Sequence, residues 1–111
     1  MLTINEKTTF WISGECKDAN GVSVTPSLVT YDIIDVISAN VVANAANFTP
    51  ANSTWEIEIT ANQNTMVNAN LAKEYRKVNV LVEYGDSKQA TEEYVYTLKN
   101  LSGFTTANTI G

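Results

Sequence analysis

The amino-acid sequence predicts an all-β protein of antiparallel strands around one core, and three observations predict it. Short runs of alternating apolar and polar residues recur along the chain. Clusters of Asn, Asp, Gly and Pro separate those runs. Apolar residues make up 44% of the chain against 17% charged, which is enough greasy surface for burial and argues against disorder. Period-two alternation sends successive side chains to opposite faces of a strand, so each run offers one face to a core and the other to water. At 111 residues the chain is expected to make one domain, a single core between two sheets, with no room for a separate catalytic domain.

The first run, 8–17, places Phe10, Ile12, Gly14 and Cys16 on one face and Trp11, Ser13 and Glu15 on the other. Trp11 then either covers an edge or touches a partner. Asp18-Ala19-Asn20-Gly21 follows, and Asn-Gly is a turn signal because both residues accept positive φ. Residues 22–26 read as an extended connection ending at Pro26, which cannot donate to a ladder and belongs at an edge or strand start. The second run, 27–37, has two apolar sets: Val29, Tyr31 and Ile33 favour one face, Ile34 and Val36 the other. A bulge near Ile33-Ile34-Asp35 would reconcile them.

Ser38-Ala39-Asn40 is a predicted turn, 41–48 a weaker alanine-rich strand, and Thr49-Pro50-Ala51-Asn52 a break. Residues 53–60 give the cleanest alternation, with Trp55, Ile57 and Ile59 inward and Glu56, Glu58 and Thr60 outward. In 61–73 the asparagines 62, 64, 68 and 70 suggest loop while Met66, Val67 and Leu71 want burial, so a short helix or a loop-borne strand both fit. Residues 76–84 form a strand with Val78, Val80, Val82 and Tyr84 facing in; Gly85-Asp86-Ser87 turns it into a strand over 90–98, where Tyr94, Tyr96 and Leu98 share a face. The last ten residues carry no charge and read as a tail that frays or, through Phe104 and Ile110, adds onto a neighbour's sheet edge or groove.

Residue chemistry narrows the function classes. There is no histidine, and a net charge of −5 disfavours nucleic acid and anionic membrane surfaces, both of which attract clustered Lys and Arg. No run approaches the roughly 18 residues of a membrane span, and the first residues lack the basic and apolar regions of a secretory leader, so synthesis in a cytoplasm is the expectation. Cys16 is the only cysteine; at an inward strand position it reads as a small buried hydrophobe in preference to a reactive thiol. Asp18-Ala19-Asn20-Gly21 opens like a calcium loop, but Ser27 stands where the bidentate glutamate should be. Glu56 and Glu58 share a strand face as solvated residues, one of Asp32 and Asp35 is free to turn inward onto backbone, and Glu92-Glu93 guards a strand from edge pairing. No catalytic residue, metal ligand or cofactor-binding residue is assigned. Trp55, Tyr84 and Tyr96 read as core aromatics, Trp11 as a contact residue, and Tyr75 occupies the place where a corner tyrosine ties the preceding turn in Ig-like sandwiches.

Thr9-Phe10-Trp11-Ile12 leading to Asp18-Ala19-Asn20-Gly21, then Val24-Thr25-Pro26 before Val29-Thr30-Tyr31-Asp32-Ile33, then Arg76-Lys77-Val78-Asn79-Val80 and a closing Glu93-Tyr94-Val95-Tyr96, form an order that resembles the small Ig-like structural proteins of tailed bacteriophages. The alanine-rich 41–48 departs from that family's usual strand. The resemblance implies an antiparallel Ig-like β-sandwich of about seven strands over residues 8–101, flanked by an N-terminal arm at 1–7 and a flexible C-terminal arm at 102–111. It further implies a non-enzymatic virion component made in the host cytoplasm: a capsid decoration or cement protein, or a head-tail or tail accessory protein. Its expected partners are phage capsid or tail proteins and further copies of itself, with Trp11, Phe104 and Ile110 as contact residues, and with no cofactor, nucleic acid or membrane. The alternative is a carbohydrate- or cell-surface-binding module that uses Trp11 and loop aromatics.

Overall fold

Each alternating run becomes a strand. The computed structural model describes residues 2–101. Its strands are β1 (Leu2–Asn5), β2 (Phe10–Glu15), β3 (Leu28–Asp35), β4 (Val41–Phe48), β5 (Thr54–Ile59), β6 (Lys73–Tyr84) and β7 (Lys88–Lys99). They form two sheets: a five-stranded one in the order β1-β7-β6-β3-β4, and a two-stranded one of β2 and β5. Every pairing is antiparallel except that of β1, which runs parallel to β7 and places Leu2–Asn5, within the expected N-terminal arm, at the sheet edge. Among the described residues there is no helix, and none long and apolar enough to cross a membrane.

The core lies where the two sheets face each other. Val29 and Ile33 of β3, Val78, Val80 and Val82 of β6, and Tyr96 and Leu98 of β7 meet Ile12 and Cys16 from the first run and Trp55, Ile57 and Ile59 of β5. All are buried, as the alternation predicts. Full burial of each large side chain contributes about 1.5–3 kcal/mol relative to exposure. Edge-to-face aromatic pairs, Phe10 with Tyr96 and Trp55 with Tyr94, stitch the small sheet to β7. Gly14 lets the Trp55 indole lie against the β2 backbone: a β-carbon there would stand 2.8 Å from Trp55 Cε2 and closer still to Cζ2.

The turns follow their residues. Asp18 Oδ1 accepts the Asn20 and Val22 amides, the Gly21 amide donates to the Asp18 carbonyl, and Gly21 sits at φ +78°. This is the hairpin turn expected there, and it leads to a Lys17–Ser23 bridge. An irregularity does fall at Ile33-Ile34, as the second run predicts, but its extra residues are on the partner strand. β3 pairs with β6 in unbroken register from Leu28 to Asp35, and the shifts occur against β4, which fits extra residues between Val41 and Ala46. β4 is an edge strand with one neighbour and small side chains, so it absorbs the irregularity at least cost. The segment between β5 and β6 holds no helix and no further strand; it is a chain of turns.

Strand direction gives the sandwich two unlike ends. The 60–72 loop, the 36–40 turn between β3 and β4, the 6–9 connection and residues 100–101 gather at one, here the long-loop end. The 85–87, 17–23 and 49–53 turns gather at the other, the hairpin end.

Candidate functional site

The long-loop end is built on a buried charge cluster. Glu74 and Arg76 precede Val78 on β6 by even steps, so the alternation that buries the valines also turns these two inward, where they are 1% and 0% exposed. The Arg76 guanidinium donates through Nη1 to the Gln63 carbonyl at 3.0 Å and through Nη2 to the Thr65 carbonyl at 2.8 Å and Glu74 Oε1 at 2.7 Å. Glu74 in turn accepts the Val67 and Asn68 amides at 3.0 and 2.7 Å. Asp35, at the end of β3, accepts the Ser38 amide and hydroxyl through Oδ2, while its Oδ1 lies 3.6 Å from Arg76 Nε in an ion pair without a hydrogen bond. A desolvated cation between two carboxylates is tolerated when hydrogen bonds satisfy the remaining lone pairs and protons, as they do here for all but that one contact.

Amides and a phenol complete the scaffold. The Tyr96 hydroxyl donates to Asn64 Oδ1 at 2.7 Å, and Asn64 Nδ2 donates to the Thr8 carbonyl. Burial pushes the Tyr96 hydroxyl up to about 12, against the opposing influence of the Arg76 charge. Asn100 donates to the Ala69 and Leu71 carbonyls and closes the far side of the loop. The corner role expected of Tyr75 therefore falls to Arg76, Asn64 and Tyr96. Tyr75 stands one residue out of phase with the inward set, so its ring lies on the outer face under Lys73.

This scaffold holds apolar side chains out toward water. Val36, Ile37, Val41, Val67, Leu71 and Leu101 are all exposed at the long-loop end, Ile37 at 69%. Soluble domains scatter single exposed apolar residues freely, but several gathered at one end are the usual mark of a contact surface.

Two further surfaces carry the other expected features. Trp11 stands on the outer face of β2 at 55% exposure, across from Glu58 of β5. On the outer face of the five-stranded sheet a groove of about 590 Å³ runs over Leu81, Asn79 and Asp32, with Thr30, Thr91 and Glu93 beside them. Asn79 Nδ2 donates to Asp32 Oδ1 at 2.8 Å, and Glu93 lies 3.5 Å from Lys77 Nζ. At the hairpin end the Tyr94 hydroxyl donates to Glu92; burial, then that hydrogen bond, push it up to about 12. Cys16 is buried, and burial raises its thiol above the ordinary range.

Of the three contact residues expected from the sequence, Trp11 is on the surface of the small sheet, while Phe104 and Ile110 lie outside the described residues. Trp11 is on the outer face of β2, two residues from the 6–9 connection. Sequence reading passed over the Asp35–Glu74–Arg76 cluster, although its signal was present: Glu74 and Arg76 share parity with Val78. Comparison of the chain with protein families, curated proteins and solved structures finds no match.

Proposed function

We propose that this chain is a non-enzymatic structural module of Ig-like topology that binds other proteins through its surface. Following its resemblance to tailed-phage proteins, we place it in a virion as a capsid decoration or head-tail or tail accessory protein. The Ig-like assignment is supported by strand order: the second and fifth strands form one sheet, the third, sixth and seventh the other, and the fourth takes the added position beside the third. One observation carries the docking reading, namely the gathering of Val36, Ile37, Val41, Val67, Leu71 and Leu101 at one end, while Leu2, Trp11, Val22 and Val95 are exposed singly elsewhere. A rigid polar cluster beneath them sets their positions before any partner arrives, which lowers the ordering cost of association.

The test is particle composition. Mass spectrometry and electron microscopy of intact particles from the source are expected to contain the chain, and Ile37→Ser with Leu71→Ser is expected to remove it while its circular dichroism stays unchanged. Particles that lack the wild-type chain refute the virion assignment, and undiminished incorporation of the double variant refutes the docking surface. A second reading, saccharide or cell-surface binding, is favoured by exposed Trp11 and by the hydroxyls, amide and carboxylates of the groove. It predicts glycan-array binding that disappears in Trp11→Ala with folding intact.

A further inference from the structure

We propose that copies of this chain bind one another head to tail, the lysine-edged long-loop end of one copy seating on the carboxylate-rich hairpin end of the next. The inference rests on the docking reading above and names the partner. Its basis is how charge is divided along the molecule. Lys7, Lys73 and Lys99 are exposed at the long-loop end, and none of them enters the ion pairs among the described residues, which use Lys17, Arg76 and Lys77. At that surface Glu6 and Glu58, the latter one residue from the end of β5, oppose them, while Asp35 and Glu74 face Arg76 in the interior.

The hairpin end has the opposite character. Glu15, Asp18, Glu83, Asp86 and Glu92 stand there against Lys17 and Lys88, and Lys17 is already 3.7 Å from Glu15. Of the four lysines outside the ion pairs among the described residues, Lys7, Lys73 and Lys99 are together at one end and Lys88 alone is at the other, although the chain carries a net charge of −5. Two long-loop ends brought together would oppose lysines with lysines, and two hairpin ends would oppose carboxylates. Unlike ends attract, and potentials of opposite sign across an interface fix register and partner. The apolar residues inside the lysine rim supply the surface that leaves water, and Val22, exposed on the 18–22 turn, is an apolar counterpart on the facing end. Such a contact uses different patches on the two copies, so it repeats into a filament or closes into a ring, the geometry a many-copy structural protein needs.

The experiment compares wild type with Lys73→Glu/Lys99→Glu and with Glu83→Lys/Asp86→Lys by sedimentation velocity at low and high salt, after circular dichroism has shown each to be folded. The single variants Lys99→Glu and Asp86→Lys replace a double that does not fold. Wild type is expected to self-associate at low salt and at least about tenfold more weakly at high salt. Each variant alone is expected to stay monomeric, and an equimolar mixture of the two to regain association, because each then meets an end of opposite charge. A monomeric wild type, variants that associate as wild type does, or a mixture that remains monomeric overturns the proposal. A monomeric wild type that still needs Ile37 and Leu71 to enter particles removes the head-to-tail contact and leaves the docking reading standing; a wild type that associates as described yet is absent from any particle keeps the contact and refutes the virion assignment.

Discussion

Replacing Arg76 by Leu tests whether buried charge organises the long-loop end. The substitution removes the cation that Asp35 and Glu74 share and the donors that hold the Gln63 and Thr65 carbonyls, while keeping an apolar body in the space. Breaking a fully buried ion pair by deleting one partner costs about 3–5 kcal/mol, because the survivor is left desolvated. Arg76 and both carboxylates are at most 2% exposed, so solvent screening does not reduce that figure. Against a total stability on the order of 5–15 kcal/mol, the loss is a large fraction of the whole. In urea, with a slope of about 1.5 kcal/mol per molar, the midpoint should fall by roughly 2–3 M. Hydrogen exchange should quicken at the Val67 and Asn68 amides, which Glu74 holds, before it does in the β6 core. A double-mutant cycle with Glu74→Gln isolates the pair, with a coupling of about 1–3 kcal/mol expected. An Arg76→Leu protein within about 1 kcal/mol of wild type, with unchanged exchange at Val67 and Asn68, would refute the reasoning.

Three more outcomes follow from the packing. Gly14→Ala should destabilise by about 1–3 kcal/mol through overpacking against Trp55, read as a lower urea midpoint with a shift in the emission of the buried indole. Tyr96, whose hydroxyl is raised from an ordinary value near 10 to about 12 in the folded chain, contributes stability that is whole below pH 10 and is lost as pH climbs from 10 to 12. Tyr96→Phe should flatten that alkaline loss by about 2–3 kcal/mol in denaturation curves taken across the window, and at neutral pH should cost about 1–3 kcal/mol by stranding Asn64 Oδ1. Cys16 should resist thiol reagents in native buffer and react at once in denaturant, as measured by the absorbance of the released chromophore.

The strands of the core were legible because each one is a local statement: Trp55-Ile57-Ile59 and Val78-Val80-Val82 name a face by themselves, and those faces are the buried ones. Which strands share a sheet is a non-local matter, and nothing in four residues such as Leu2–Asn5 announces a parallel partner ninety-odd positions away. β4 alternates too weakly, with Ala and Asn on both faces, to reveal that it and not β3 carries the register shifts. The 60–72 loop was ambiguous because apolar pattern does not shape it; side chains from other elements hold its backbone, among them Arg76, Glu74 and Asn100. For the candidate site the same limit holds. Ile37, Val41 and Leu71 are unremarkable in sequence and become a group only when the 36–40 turn and the 60–72 loop arrive at one end.

The two-stranded sheet has a kinetic consequence. A lone ribbon of six-residue strands has little stability in water, and Glu15 and Thr54 are joined only after roughly forty residues of intervening chain have been reeled in. The neighbouring hairpin of the twelve-residue strands β6 and β7 closes through a three-residue turn, so it can nucleate early, while β2 and β5 condense late onto a platform already in place. Trp11 is therefore displayed in its native setting only by molecules that have completed maturation, which makes the indole surface a built-in indicator of finished folding.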